Sequence, residues 1–240
     1  MHGLTGSPDE LVPLCEALSS SGLPVMSPML SGHGSDVGAL ARTTRTEWLA
    51  SADSALTEIV ATSGGPVTIV GSSAGGLLAL HLAMTRPRDV RALVLLATPV
   101  SLPPIDAMKI RLALCLPRGL RPASLRVIKK THGPNVNDRT YASSLRSLPA
   151  YPLEALGELL KLMSSVRSRL AQVAQPVLIA YGGLDQTVSR AQVDELAAGL
   201  RRANVERLDL ARSAHLVAID FDRDRLTREV TRFIQRSRSE

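Results

Sequence analysis

Val67-Thr68-Ile69-Val70-Gly71-Ser72-Ser73-Ala74-Gly75-Gly76-Leu77-Leu78-Ala79-Leu80 runs from four β-branched residues, through a turn of small residues, into an apolar helical pattern. β-Branched side chains favour a strand, and the run behind the turn has the length and composition of a buried helix. The stretch therefore predicts a strand over 66–71, a sharp turn, and a helix over Leu77 to Met84. A serine at the tip of such a turn sits in strained backbone geometry, and glycine two residues to either side lets strand and helix pass closely. Ser73, rather than Ser72, is the candidate nucleophile. A glycine-rich turn that merely packs a helix on a strand would carry the same letters, so the reading depends on partners elsewhere in the chain.

A serine hydroxyl needs a base within hydrogen-bond reach and a carboxylate to orient that base. Five histidines are present, His2, His33, His81, His132 and His215. Only His215 follows every strand candidate, in the loop Ala211-Arg212-Ser213-Ala214-His215-Leu216. His81 falls on the helix after the turn, as a packed or surface residue, and His132 lies in a Gly/Pro/Asn-rich connection; neither suits the role of base. In the chain order nucleophile, acid, base, Asp185 fits best. It follows the strand-like Pro176 to Tyr181 across Gly182-Gly183-Leu184, just beyond a strand's C-terminal end, where open α/β sheets carry their sites. Asp209 is the rival, and its place in the alternating Val205 to Leu210 is also that of a solvent-facing strand residue. At the N-terminus, His2-Gly3-Leu4-Thr5-Gly6 is a loop whose Leu4 N–H is one candidate oxyanion donor. The Ala74 N–H, at the positive end of its helix, is the other.

With these residues in place, the chain resembles the α/β-hydrolase superfamily and, within it, the small bacterial carboxylesterases and monoacylglycerol lipases. His2-Gly3-Leu4-Thr5-Gly6-Ser7-Pro8, Ser31-Gly32-His33-Gly34, Glu47-Trp48, the Ser73 turn, Asp185, and Ser213-Ala214-His215 with Asp220 behind it match that family's landmarks in order. They span nearly the whole chain. The resemblance implies a mostly parallel, doubly wound α/β sheet with a helical cap insertion, and hydrolysis of a small carboxylic ester without metal or cofactor. Family members enter the first loop from a buried strand with further strands before it. That strand lies between the one corresponding to Pro24-Val25-Met26 and the one ending at Ser73. Here Met1 stands directly against His2, so the N-terminal strands are expected to be missing, two strand edges unpaired, and the sequence a fragment or one with a misassigned start.

A length of 240 residues suits one domain, 1–240. Aromatics are only 2% of the chain, so Leu, Val and Ala must fill the core and any pocket is aliphatic. The net charge of +6 raises an anionic partner such as membrane or nucleic acid. The basic residues are spread out, with almost no aromatics between them for base stacking, so a solvated surface is the expectation. Cys15 and Cys115 have neither metal-site spacing nor a nucleophile signature and are expected to be buried free thiols. No stretch approaches the ~20 apolar residues of a membrane span, and no basic-then-apolar leader opens the sequence; a cytoplasmic protein with no stable membrane insertion is expected.

Strands are expected near 24–29, 66–71, 91–97, 176–181 and 204–210. Ser7-Pro8-Asp9-Glu10 reads as a helix start, with Ser7 as cap, Pro8 first and Glu10 as the third-position carboxylate. Leu11, Leu14 and Leu18 then form a core stripe closed by Gly22. Further helices are marked by Trp48, Ala52, Leu56 and Ile59, and by Val193 to Leu200. Between 100 and 172 the alternation gives way to prolines, basic residues and short amphipathic pieces, read as a cap or lid. Ile105, Met108, Leu112, Leu156, Leu159, Leu160 and Met163 are candidates to line an acyl pocket, although packing of cap helices on the core explains them equally well. Two other functions use the same features: a thioesterase, amidase or other acyl hydrolase with the same three residues, and a non-catalytic or truncated protein on the hydrolase scaffold.

Overall fold

Val90 to Leu96 shows how the sheet is built. Ala92, Val94 and Leu96 face one side while Val90, Leu93 and Leu95 face the other, all fully or nearly fully buried. A strand alternates its side chains, so an apolar run throughout requires cover on both faces. Leu93 and Leu95 are 0% exposed, and such burial contributes roughly 1.5–3 kcal/mol per residue. The computed structural model describes residues 1–130, 133–142 and 145–239, so His132 lies outside the described residues.

The element order is α1 (Val12–Ser20), α2 (Val37–Arg42), α3 (Arg45–Ser63), β1 (Val67–Ser72), α4 (Ala74–Thr85), β2 (Val90–Leu96) and α5 (Pro104–Cys115). There follow α6 (Ala123–Arg126), β3 (Val127–Lys129), α7 (Arg139–Ala142), β4 (Ala150–Pro152) and α8 (Leu153–Arg167). The chain closes with β5 (Val177–Gly182), α9 (Arg190–Gly199), β6 (Val205–Leu210) and α10 (Arg223–Ser239). The main sheet is parallel, in the order β1-β2-β5-β6. α3, α4, α8 and α9 bury apolar residues on one face; α1 and α10 cover the other. β3 and β4 form a separate antiparallel pair.

The strands expected near 66–71, 91–97, 176–181 and 204–210 are present within a residue of those bounds. The one expected at 24–29 is not a strand. A ladder needs a partner about 4.8 Å away, whereas a groove of about 370 Å³, lined by Leu23, Val25, Met26, Leu56, Val67 and Ile69 among others, separates this segment from β1. Met1 occupies the far end of that edge. Its ammonium donates to the Val70 carbonyl at 2.7 Å, and its carbonyl accepts from Ser72 N–H at 3.0 Å.

The first helix also departs from expectation. Pro8–Leu11 is a 3₁₀ turn capped by Ser7, whose hydroxyl accepts the Asp9 N–H at 3.4 Å, and the α-helix starts only at Val12. Glu10 does not reach back to the cap; its carboxylate instead accepts the Gly3 N–H at 3.0 Å. Of the two cysteines, Cys15 is half-buried and Cys115 is exposed rather than buried, because it lines an open cavity between α5 and α8 instead of the core.

Between β2 and β5 the expected insertion divides in two. α8 packs into the main core through Ala155, Leu159, Leu162, Met163 and Val166, so Leu159 and Met163 are core residues. Ile105, Met108 and Leu112 on α5 are 61%, 62% and 70% exposed. Met108 and Leu112, with Leu160 and Met163, line a cavity of about 880 Å³ between α5 and α8.

Candidate active site

Ser73 stands between β1 and α4 with φ +51°, ψ −116°, a conformation that non-glycine residues rarely adopt. Its N–H donates to the Leu96 carbonyl at 2.8 Å, and its own carbonyl accepts the Gly76 N–H at 3.0 Å, which fixes the turn from both sides. The flanking glycines are steric necessities. A Cβ at Gly71 would overlap the Gly75 carbonyl, and one at Gly75 would overlap the Met1 and His2 carbonyls. Ala74 opens α4, so its N–H is among those a helix leaves without an internal acceptor.

Asp185 and His215 come together although thirty positions separate them. Asp185 Oδ2 lies 2.8 Å from His215 Nδ1. The Asp185 side chain is fully buried, and its Oδ1 accepts the N–H groups of Thr187 at 2.7 Å and Val188 at 3.0 Å. An ionised carboxylate only accepts, so Nδ1 carries a proton, and in the neutral ring Nε2 is left with the lone pair. Glycine makes the approach of the two loops possible. A Cβ on Gly182 would overlap the Ala214 carbonyl, one on Gly183 would crowd the Ala211 backbone, and the paired chains exchange Gly183 N–H to Leu210 O at 2.9 Å and Leu184 N–H to Ser213 O at 3.0 Å. Asp209, the rival acid, points outward with its side chain 47% exposed and 3.6 Å from Arg190.

The Leu4 loop abuts Ser73. A Cβ built on Gly3 would sit 3.2 Å from Ser73 Cβ, and the Gly6 N–H closes the loop onto the Gly3 carbonyl at 3.1 Å. His2 is 0% exposed; its Nε2 accepts the Leu30 N–H at 3.1 Å, which leaves Nδ1–H to donate to the Gly3 carbonyl at 3.0 Å. Burial lowers the His2 pKa to about 3, so the ring is neutral and stacks edge-on to His33. Among the described residues no cluster of His, Cys, Asp or Glu is arranged to hold a metal ion, and no helix is long and apolar enough to cross a membrane.

The family described as serine aminopeptidase S33 matches residues 1–222. The chain belongs to this family of α/β hydrolases. Among curated proteins, this hydrolase is 29% identical over 225 residues to a thermostable monoacylglycerol lipase of Bacillus sp. strain H-257, covering 92% of this chain and 83% of that one. Among solved structures it resembles one reported for LipS and LipT, two metagenome-derived lipolytic enzymes, with a TM-score of 0.84 and 22% identity over 98% of this chain and 91% of that one. The monoacylglycerol lipase of Paleococcus ferrophilus superimposes with a TM-score of 0.81 at 18% identity, covering 99% and 93% of the two chains. These likenesses establish the α/β-hydrolase fold.

Two positioning groups of this hydrolase were not assigned roles by sequence reasoning. Asp220 appeared there only as a landmark, yet it is fully buried and its carboxylate accepts four backbone N–H groups: Ala214 at 2.7 Å, Phe221 at 2.9 Å, and Asn137 and Asp138 at 3.0 Å each. It thereby ties the residue before His215 to the insertion, where Arg223 adds a 2.7 Å ion pair to Asp138. A signal existed, since an acid five residues after a candidate base is well placed to cap that loop. The other is His2, read only as a loop residue; nothing in its spacing announced that both ring nitrogens serve the backbone.

Proposed function

We propose that the protein hydrolyses small carboxylic esters, monoacylglycerols among them, through an acyl-enzyme on Ser73. The observation that supports this most is the buried Asp185 carboxylate 2.8 Å from His215 Nδ1, together with a serine held at φ +51° in the turn between β1 and α4. The lipase names of its relatives point to the same substrate class. The Ser73 oxygen attacks the ester carbonyl carbon while His215 Nε2 takes its proton, and the carbonyl electron pair moves onto oxygen. The Leu4 and Ala74 N–H groups receive that oxyanion, each donor worth about 3 kcal/mol of barrier. Collapse breaks the bond to the alcohol oxygen, which leaves with the proton from His215. Water, deprotonated by the same ring, then attacks the acyl carbon; collapse breaks the bond to the Ser73 oxygen, which takes the proton back from His215 as the carboxylic acid leaves. Asp185 keeps the imidazole in the required tautomer and stabilises its protonated form. Within residues 100–172, the segments outside the core-packed α8 act as the cap over this site, and no cofactor takes part.

A p-nitrophenyl ester series and a monoacylglycerol panel test the reading, with thioester and amide analogues to define its limits. Wild-type protein is expected to turn over esters and to label rapidly with a fluorophosphonate. Ser73→Ala is expected to do neither, and hydrolysis surviving in that variant would reject the assignment.

A further inference from the structure

Glu10 is a buried acid that this mechanism does not use. It is 5% exposed, and its Oε2 accepts the Gly3 N–H at 3.0 Å. The other oxygen lies against Gly6, where a Cβ would overlap it. Gly3 is thus wedged between two groups, since a Cβ there would stand 3.5 Å from Glu10 Oε2 and 3.2 Å from Ser73 Cβ. Leu4, the next residue, carries the N–H assigned to the oxyanion. Thr5 follows at φ +68°, and its carbonyl accepts Leu148 N–H at 2.8 Å and the Ser147 hydroxyl at 3.4 Å, both from the insertion.

We propose that Glu10 is a positioning residue of the oxyanion loop: by holding the Gly3 N–H it fixes the His2–Gly3 peptide, from which the next peptide sets out to bring the Leu4 N–H beside Ser73. This rests on the functional reading above and deepens it. Further along the loop the Thr5 carbonyl is anchored by the insertion, so Glu10 secures the end nearest the nucleophile. A charged acceptor makes the stronger of such bonds, and an amide of the same shape keeps an acceptor in place. The groups facing the carboxyl are the Met1 ammonium at the β1 edge, His215 from the loop after β6, Lys130 after β3, and Tyr151 on β4. Burial pushes the Glu10 carboxyl up, while the Gly3 N–H and the positive charges draw it back; burial also lowers Lys130 to about 8.

The test combines kinetics with the backbone signal of Gly3. Wild-type, Ser73→Ala, Glu10→Gln and Glu10→Ala proteins are assayed on one soluble p-nitrophenyl ester, and the Gly3 amide is followed by ¹⁵N NMR across pH. Glu10→Ala is expected to lose at least fivefold in kcat with KM within threefold, within the ~10²–10³ that losing a whole oxyanion donor costs. Glu10→Gln, which keeps the shape and so controls for folding, is expected to recover most of that loss. The wild-type Gly3 amide shift should titrate above the usual carboxylate range, and that titration should vanish in Glu10→Gln. A smaller loss, a loss carried by KM, a glutamine variant as impaired as alanine, or a Gly3 shift indifferent to Glu10 overturns the proposal. Turnover persisting in Ser73→Ala would overturn the catalytic reading separately, and the Gly3 titration would still decide whether Glu10 governs the loop.

Discussion

The two walls of the candidate site are held in different ways. The proposed acid–base wall stands on loops leaving β5 and β6, pressed together at Gly182 and Gly183 and fastened by Asp220 through four backbone N–H groups. The proposed oxyanion wall is the short loop from Gly3 to Gly6, held by one Glu10 oxygen, the His2 ring and a peptide of the insertion at Thr5. The first wall inherits the rigidity of the sheet, and the second depends on side chains and on the cap. Catalytic geometry of this kind tolerates little displacement, so the oxyanion wall is where the smaller structural insults should register as lost rate.

Removing the charge from the acid–base wall gives the largest expected effect. Asp185→Asn should lower kcat by about 10⁴-fold in steady-state ester hydrolysis, because the amide favours the wrong imidazole tautomer. Next comes its scaffold: Asp220→Ala strands four backbone N–H donors, two of them in buried bonds, and should destabilise the fold by on the order of 4 kcal/mol, read as a lowered denaturant midpoint at unchanged slope. If the midpoint hardly moves, that wall is not fastened as described. On the oxyanion side, Gly6→Ala places a methyl where Glu10 Oε1 lies, and we expect about a tenfold fall in kcat while Asp185 and His215 stay paired. A pH-dependent effect concerns His2, whose folded pKa of about 3 lies below the unfolded 6.5. The unfolded chain binds the extra proton between those values, so this ring's contribution is intact above pH 6.5 and lost as pH falls. Stability should drop by about 2 kcal/mol from this group between pH 7 and 5, and His2→Asn should flatten the slope by that amount in chemical denaturation.

The better-fastened wall was also the more legible one. Val67 to Val70 and Pro176 to Tyr181 announce strands by their own composition, and the glycines behind them mark the turns that place Ser73 and Asp185. His215 followed from its position after the strands. The oxyanion wall was only half readable. Its loop stood out through Gly3 and Gly6, but Glu10 carried the signature of a capping glutamate and spends its carboxylate on Gly3 instead, a choice made by tertiary contact. Pro24 to Met29 has strand character without a neighbour to pair with, and pairing is not a property of one segment. On α5 and α8 the apolar residues look alike in sequence, yet Met163 is in the core and Leu112 is in solvent, because only α8 lies against α3 and α4.

Gly182 and Gly183 carry a lesson for anyone ranking positions by tolerance. Neither carries a side chain, and each has a main chain lying where a methyl group would go. In a saturation library selected for ester hydrolysis, both columns should be nearly as empty as those of Ser73 and His215. A screen that equates intolerance with chemistry would then misfile two spacers as reactive residues.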